Sequence, residues 1–380
     1  MRERLRAAII GAGFIGTVHA RAVLASGAEL VGVSDVHAER AAGLQEQVGA
    51  RRWTRSSAEL IEAPDVEVVH VCTPNDTHFK FAERALRAGK HVICEKPLAT
   101  GAENSLRLLE LADASGLVAA VPFVYRYYPM VREARERVKR GDAGRLGTIH
   151  GFYLQDWLAE HDDHNWRVDP VRGGRSRAFA DLGVHWVDLV EFVAGHRLTR
   201  VNAQLSILFP SRFGPDGPVH VSTEDVAVVS FETDGGAIGS VVISQVSPGR
   251  KNRFCFSLDG TKASLFFDHE QPEQLWVGGR SINQLLARSP ENLAPASAKY
   301  VTLPAGHPQG FQDCFNAFVA ECYAAINGST PEGLPRFVDG LRAAQVTDAV
   351  LASATSRSWV EVPSEPVVLR DSPVNHGEVL

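Results

Sequence analysis

The sequence predicts an α/β chain of two domains, a doubly wound parallel sheet followed by an α+β domain with a large, mainly antiparallel open sheet. Three observations carry this expectation. Over the first ~120 residues short apolar runs alternate with stretches of helical period, as strands joined by crossover helices do. A glycine-rich turn, Gly11-Ala12-Gly13-Phe14-Ile15-Gly16, follows the first run directly. Later, β-prone runs succeed one another with turn residues between them.

In the first half, strands are expected at 5–10, 28–34, 66–73, 91–95 and 117–122, and helices at 14–26, 38–48, 77–88 and 100–114. Thr100-Gly101-Ala102-Glu103 reads as a capping box for the last helix, and Gly89 and Gly116 stand where helices end. After Pro129 a basic amphipathic stretch, 131–140, stops at Gly141. Strands then follow at 147–155, 201–209, 225–233, 237–247, 254–259, 263–267 and 274–278. Asp234-Gly235-Gly236 and Asp259-Gly260 suit hairpins, which makes this sheet mainly antiparallel. Helices are expected at 179–194, 309–327 and 336–355. The division predicted is 1–123, a cofactor domain, 124–362, a substrate and oligomerisation domain, and 363–380, a tail with prolines and charges but no period.

Composition excludes several classes. The 380 residues carry a net charge of −6 with no long basic block, so a nucleic-acid partner is not expected. The longest apolar stretches, such as 66–72 and 116–124, fall far short of the roughly 20 residues that span a bilayer. The N-terminus shows no secretory cleavage pattern, which points to the cytoplasm. Five cysteines without a C-x-x-C pair suggest buried thiols rather than disulfides or zinc. His161-Asp162-Asp163-His164 lies in one polar loop without a third-ligand motif, so no metal is expected.

The glycine turn has the context of a Rossmann dinucleotide site, ending a strand and opening a helix whose free N–H groups can face a pyrophosphate. Asp35, 19 residues after Gly16, stands where a carboxylate accepts from the adenosine ribose and repels a 2′-phosphate. NAD is therefore expected in preference to NADP, although His37 and Arg40 could serve a phosphate. Thr73-Pro74-Asn75 and Glu95-Lys96-Pro97 end apolar runs on the edge where open parallel sheets bind ligands. Among seven lysines and thirty-two arginines, a lysine held before proline, with Glu95 as counter-charge, could stabilise a developing alkoxide. Taken alone, Lys96 also fits a solvated surface residue.

Asp181-Leu182-Gly183-Val184-His185 begins an amphipathic helix, and positions i and i+4 share a face. Asp181 beside His185 would fix the imidazole tautomer for general-base work, the alternatives being a surface pair or two metal ligands. Tyr125, Arg126, Gln155, Asp156, Trp166 and Arg167 lie near the same elements and offer aromatic faces and donors suited to a polyhydroxylated ring.

The glycine turn, Cys72-Thr73-Pro74-Asn75 with His78, Ala88-Gly89-Lys90-His91-Val92 and Glu95-Lys96-Pro97 together resemble the Gfo/Idh/MocA oxidoreductases. The resemblance implies a sugar or cyclitol dehydrogenase in which Lys96 polarises the reacting oxygen, Asp181 is the helix aspartate and His185 the acid/base. It places the cofactor against Gly11, Gly13, Phe14, Ile15, Gly16 and Asp35, and against Thr73, Pro74, Asn75, His78, Glu95 and Lys96. Substrate falls to Lys96, Asp181, His185 and the six polar and aromatic residues above. Many relatives have three glycines before the helix, where this chain reads Arg172-Gly173-Gly174-Arg175-Ser176-Arg177, so extra arginines are expected near the pocket mouth. The expected reaction is hydride transfer to NAD from a secondary carbinol of a sugar, anhydrosugar or cyclitol. The alternatives are a glycosidase or lyase that oxidises its sugar transiently, and a noncatalytic cofactor-binding sensor. A homodimer or homotetramer is expected through the uncovered face of the second sheet.

Overall fold

The computed structural model describes residues 4–214 and 217–365, so most of the expected tail lies outside the described residues. The first sheet is built from β1 (Arg6–Ile10), α1 (Phe14–Ala25), β2 (Glu29–Ser34), α2 (Ala38–Val48), β3 (Arg52–Thr54), α3 (Ser57–Glu62), β4 (Val68–Val71), α4 (His78–Arg87), β5 (His91–Cys94), α5 (Ala102–Ser115) and β6 (Ala119–Ala120). Its order is β3-β2-β1-β4-β5-β6, all pairs parallel. The central strands are apolar throughout because helices cover both faces. The order reverses between β1 and β4, and that switch point opens the crevice where such sheets bind ligands.

Local signals misplaced several elements. β3 and α3 went unseen, since Arg52-Trp53-Thr54 is a short, partly exposed edge with no apolar run. The capping box at Thr100 is absent: α5 starts at Ala102, no side chain of Gly101 can cap it, and Asp348 Oδ2 accepts the Ala102 N–H from across the fold at 3.2 Å. β6 ends at Ala120, which itself bridges to Arg336, and beyond it Val121 donates to the Pro335 carbonyl.

The second domain contains α6 (Pro129–Lys139), β7 (Leu146–Leu154), α7 (Pro170–Gly173), α8 (Val184–Ala194), β8 (Leu198–Ser206), β9 (Ser211–Gly214), β10 (Gly217–His220), β11 (Val226–Thr233), β12 (Ile238–Ser244), β13 (Arg253–Gly260), β14 (Ser264–Asp268), β15 (Gln274–Gly278), β16 (Asn283–Ala287), α9 (Pro295–Ala298), α10 (Phe311–Ile326), α11 (Phe337–Ser356) and β17 (Val360–Glu361). Nine strands form one sheet in the order β16-β15-β14-β13-β7-β12-β11-β8-β17. Only β12 and β7 run parallel, so the C-terminal ends of both and the start of the antiparallel β13 meet at one edge. Alternation along β11 buries Ala227, Val229 and Phe231 against the helices and leaves Val228 outward.

α8 is seated on this sheet by Trp186, whose indole N–H donates to the Cys255 carbonyl at 2.9 Å. Gly151 makes that seat possible, since a Cβ there would stand 2.2 Å from the same carbonyl oxygen and 2.8 Å from the indole nitrogen. The single helix expected from 179 opens instead with a π-helical turn, Phe179–Gly183. Such a turn often marks a functional site, and this one carries Asp181.

Arg126 lies in a 3-10 turn, Val124–Tyr127, and is buried. Its guanidinium donates to both oxygens of Asp188 on α8, to Asp339 on α11 and to the Gly333 carbonyl. Every nitrogen is engaged, so the expectation that Arg126 binds substrate is corrected: it ties helices together. Removing one partner of a buried ion pair strands the other's charge, so Arg126→Met should cost roughly 3–5 kcal/mol of stability. Thermal and urea unfolding check this, an unchanged Tm contradicting the structural role.

Candidate active site

Each glycine of the phosphate turn has its own reason. Gly11 has φ +102°, and a Cβ on it would stand 2.5 Å from the carbonyl oxygen of Cys72, just past β4. A Cβ on Gly16 would stand 2.0 Å from the Gly11 carbonyl oxygen, so this glycine lets helix and turn pack. Nothing lies within 4 Å of the Cβ direction of Gly13, which leaves open the cradle a pyrophosphate would fill. No side chain caps α1, so its first-turn N–H groups remain for an anion. Phe14 is exposed at this mouth and Ile15 half-buried. Asp35 accepts the Ala12 N–H at 2.9 Å on one oxygen and the His37 N–H at 2.9 Å on the other, which fixes it beside the turn with lone pairs left for ribose hydroxyls. These residues fit an adenine dinucleotide.

Two further loops frame the cleft. His78 is buried, with Nδ1 2.7 Å from the Pro97 carbonyl oxygen and Nε2 2.8 Å from that of Thr73. It staples the two loops together and has no nitrogen free for a cofactor, which corrects its assignment as a ligand. Asn75 donates to the Gly173 carbonyl at 2.9 Å and so joins the cofactor loop to the second domain. The Thr73 hydroxyl accepts from Thr77 at 2.7 Å, and Pro74 precedes that turn. Glu95 is not the counter-charge of the Lys96 ammonium: its carboxylate meets His19 Nε2 at 3.0 Å and the Lys96 backbone N–H at 3.1 Å.

The partner of Lys96 is Asp181. The ammonium donates to Asp181 Oδ1 at 2.6 Å and to its backbone carbonyl at 2.9 Å. Gln245 Nε2 donates to Asp181 Oδ2 at 2.9 Å, and Arg167 Nε lies 3.5 Å from Oδ1. Burial pushes the Asp181 carboxyl up, but the charges of Lys96 and Arg167 and the lysine hydrogen bond prevail and hold it well below the usual carboxylate range. The expectation that Asp181 orients the imidazole of His185 is therefore corrected: its hydrogen bonds hold the lysine.

His185 is 9% exposed, and its Nδ1 is buried with no hydrogen-bond partner among the described residues. Its ring stands edge-on to Tyr125 at 5.0 Å and Phe123 at 5.9 Å. Burial and the Lys96 charge, with His269 adding to them, outweigh the opposing pull of Asp181 and keep the imidazole neutral well below its ordinary pKa.

Around this core runs a polar and aromatic wall. The Tyr125 hydroxyl meets that of Tyr153 at 2.7 Å, which donates to Asn252 Oδ1 at 2.8 Å. Gln155 donates to the same oxygen at 2.8 Å and accepts from the Trp157 indole at 2.6 Å. His269 Nε2 lies 2.9 Å from the Tyr128 hydroxyl. Asp156 is engaged by Lys251 at 2.7 Å and by the Gly249 N–H. Arg167 stacks on Trp166, 4.5 Å from the ring centre, and is the guanidinium that reaches Asp181. Of the arginines expected at the mouth, Arg177 is buried on Asp225 and Arg175 pairs with Asp348 at 3.0 Å, leaving Arg172 at the rim over Trp166. Gln245, Asn252 and His269 were missed, since nothing in their local sequence marks them.

A parallel sheet with this glycine turn, set against an α/β domain that lends a residue to its cofactor edge, defines a dinucleotide-binding oxidoreductase. Residues 5–123 match the oxidoreductase family described as having an NAD-binding Rossmann fold, and 131–266 match the GFO/IDH/MocA C-terminal domain. The chain belongs to the Gfo/Idh/MocA family. It is 32% identical over 398 aligned positions to levoglucosan dehydrogenase of Pseudarthrobacter phenanthrenivorans, covering 95% of this chain and 99% of that one. It is 30% identical to scyllo-inositol 2-dehydrogenase (NAD(+)) of Bacillus subtilis over 70% of this chain and 74% of that one. Among solved structures, a levoglucosan dehydrogenase in complex with NADH and L-sorbose superposes with a TM-score of 0.89 at 29% identity, over 95% of this chain and 100% of that chain.

The glycines separate cofactor binding from folding. Gly13 has φ −81°, open to any residue, so Gly13→Ala should leave Tm within roughly 2 °C yet weaken NAD at least about tenfold. Gly16→Ala should lower both. Calorimetric titration with NAD and thermal unfolding check the pair.

Proposed function

We propose that the protein is an NAD-dependent dehydrogenase oxidising a secondary hydroxyl of a sugar, anhydrosugar or cyclitol. The observation that carries this is the meeting of Lys96, from the cofactor sheet, with Asp181 and His185, from the second domain, beneath a wall of tyrosine, tryptophan and amide groups. Tyr125, Gln155, Asp156, Trp166 and Arg167 fit a ring with several hydroxyls. The named relatives, for levoglucosan and inositols, support a cyclic polyol. No helix among the described residues is long and apolar enough to cross a membrane. Five free, buried cysteines suit the cytoplasm.

His185, neutral when free, takes the hydroxyl proton. Lys96 donates to the oxygen as its negative charge grows, and Asp181 holds the ammonium in place. Bound NAD supplies the hydride acceptor. The second domain excludes water from the pair and orients the ring. We further propose a homodimer or homotetramer through the outer face of the nine-stranded sheet. Val228, Val242, Ile238 and Leu285 are exposed there on one face by register.

A panel of cyclic polyols followed by NADH absorbance should give net NADH, with catalytic efficiency for NAD at least roughly tenfold that for NADP. Product without net NADH would indicate transient oxidation, and equal use of NADP would make His37 and Arg40 dominant.

The acid limb of kcat/KM should lie below the ordinary imidazole value of 6.5, because burial and Lys96 depress His185. Lys96→Met removes a like charge, so the limb should move to higher pH while turnover falls by roughly two orders of magnitude. Asp181→Asn removes the opposing anion, so the limb should move to lower pH. A pH series on both variants checks the signs, and an unmoved limb in both would shift the base to another group, Tyr125 first.

A further inference from the structure

Behind the active site lies a row of buried polar side chains that the reaction does not use. Glu95 Oε1 is 3.0 Å from His19 Nε2, His19 Nδ1 is 2.9 Å from His70 Nδ1, and His70 Nε2 is 2.8 Å from the Tyr323 hydroxyl. Both histidines are fully buried, and Glu95 and Tyr323 nearly so. The four come from different parts of the fold: Glu95 just past β5, His19 on the phosphate helix α1, His70 on β4 and Tyr323 on α10 of the second domain. Phe315 of α10 also stands edge-on to His19 at 5.0 Å.

Hydrogen-bond logic gives the row a direction. The carboxylate of Glu95 needs a donor, so His19 carries its proton on Nε2. With that one proton on its ring, His19 presents a lone pair at Nδ1, and His70, facing it through its own Nδ1, must donate. His70 therefore accepts at Nε2, and the Tyr323 O–H donates there. Burial, with the neighbouring His19 adding to it, pushes the His70 imidazole well below its ordinary value, and burial pushes the Tyr323 phenol well above its own, which keeps both uncharged. The other oxygen of Glu95 accepts the Lys96 N–H at 3.1 Å, so the row ends on the peptide that carries the lysine.

We propose that Tyr323, His70 and His19 form a one-directional hydrogen-bond chain by which α10 of the second domain positions Glu95 and, through it, Lys96. The inference rests on the oxidation proposed above for its effect on turnover, but not for its geometry. These are positioning residues: none has a free polar atom for substrate in this arrangement. They let a helix of one domain set the aim of an ammonium in the other, whose remaining bonds all go to Asp181.

Three measurements on the full-length protein with NAD test it. Histidine 15N NMR, with His70 assigned by His70→Asn, should show His70 protonated on Nδ1, and protonation on Nε2 would overturn the direction. With 15N-lysine, only seven signals are present, and Lys96 is assigned by Lys96→Met. The Lys96 ammonium signal should move in His19→Leu and in Tyr323→Phe, which deletes one oxygen, and should return in His19→Gln, which restores an N–H donor. A signal unmoved in both His19→Leu and Tyr323→Phe would overturn the positioning role. With the best polyol, His19→Leu and Tyr323→Phe should lower kcat roughly tenfold at nearly unchanged KM and NAD affinity, with His19→Gln recovering most of the loss. Equal loss in His19→Leu and His19→Gln, tracking Tm, would reduce the row to packing. If wild type turned over no polyol, the functional proposal would fail while the two NMR readouts still decided the chain.

Discussion

The Lys96–Asp181 pair is the constraint around which the cleft is organised. Its two charges come from different domains and are largely withdrawn from water. A buried ion pair seldom adds much stability over apolar packing, because desolvation takes back most of the attraction. Its value lies in geometry. Lys96 can approach Asp181 only if β5 and the π-helical turn before α8 are correctly apposed, so the closed cleft and the aimed ammonium exist together or not at all. Gln245 and Arg167 complete the carboxylate's shell, so Asp181 holds the lysine from a fixed position.

What was legible in the sequence was whatever a local rule writes down. The glycine turn has three glycines with separate steric reasons, each visible in spacing alone. Lys96 stood out through Pro97 and the scarcity of lysine, and His185 through its helix. The partners of these residues were not legible. Helical spacing joined Asp181 to His185, four positions on, but its hydrogen bonds reach Lys96, eighty-five positions back, because the π-helical turn and the domain closure decide where the carboxylate points. Arg126 looked like a substrate donor beside three tyrosines, yet buried Asp188 and Asp339 claim it from distant helices.

Gln245, Asn252 and His269 were hidden for a topological reason. They stand at or beyond the ends of β12, β13 and β14; Asn252 meets Gln155, and His269 lies beside Asn252, because β7 inserts between β12 and β13 and runs parallel to the first of these. Strand order is a non-local property, and β-propensity along the chain cannot report it. The sheet's antiparallel character was readable from its turns, while the single parallel pair, which brings the ends of β7 and β12 together at the cleft, was not.

The return of the last helices to the first sheet bears on how the molecule is made. Phe337 and Leu341 of α11 lie in the same apolar cluster as β1, β4 and β5, and the two-residue β6 borrows backbone partners from Pro335 and Arg336. A ribosome emits the cofactor half first, but that half lacks part of its core and an edge until over three hundred residues have emerged. The nascent half must therefore wait with apolar surface uncovered, and severing it from the rest would leave a Rossmann sheet with an unfinished side rather than a portable NAD-binding module.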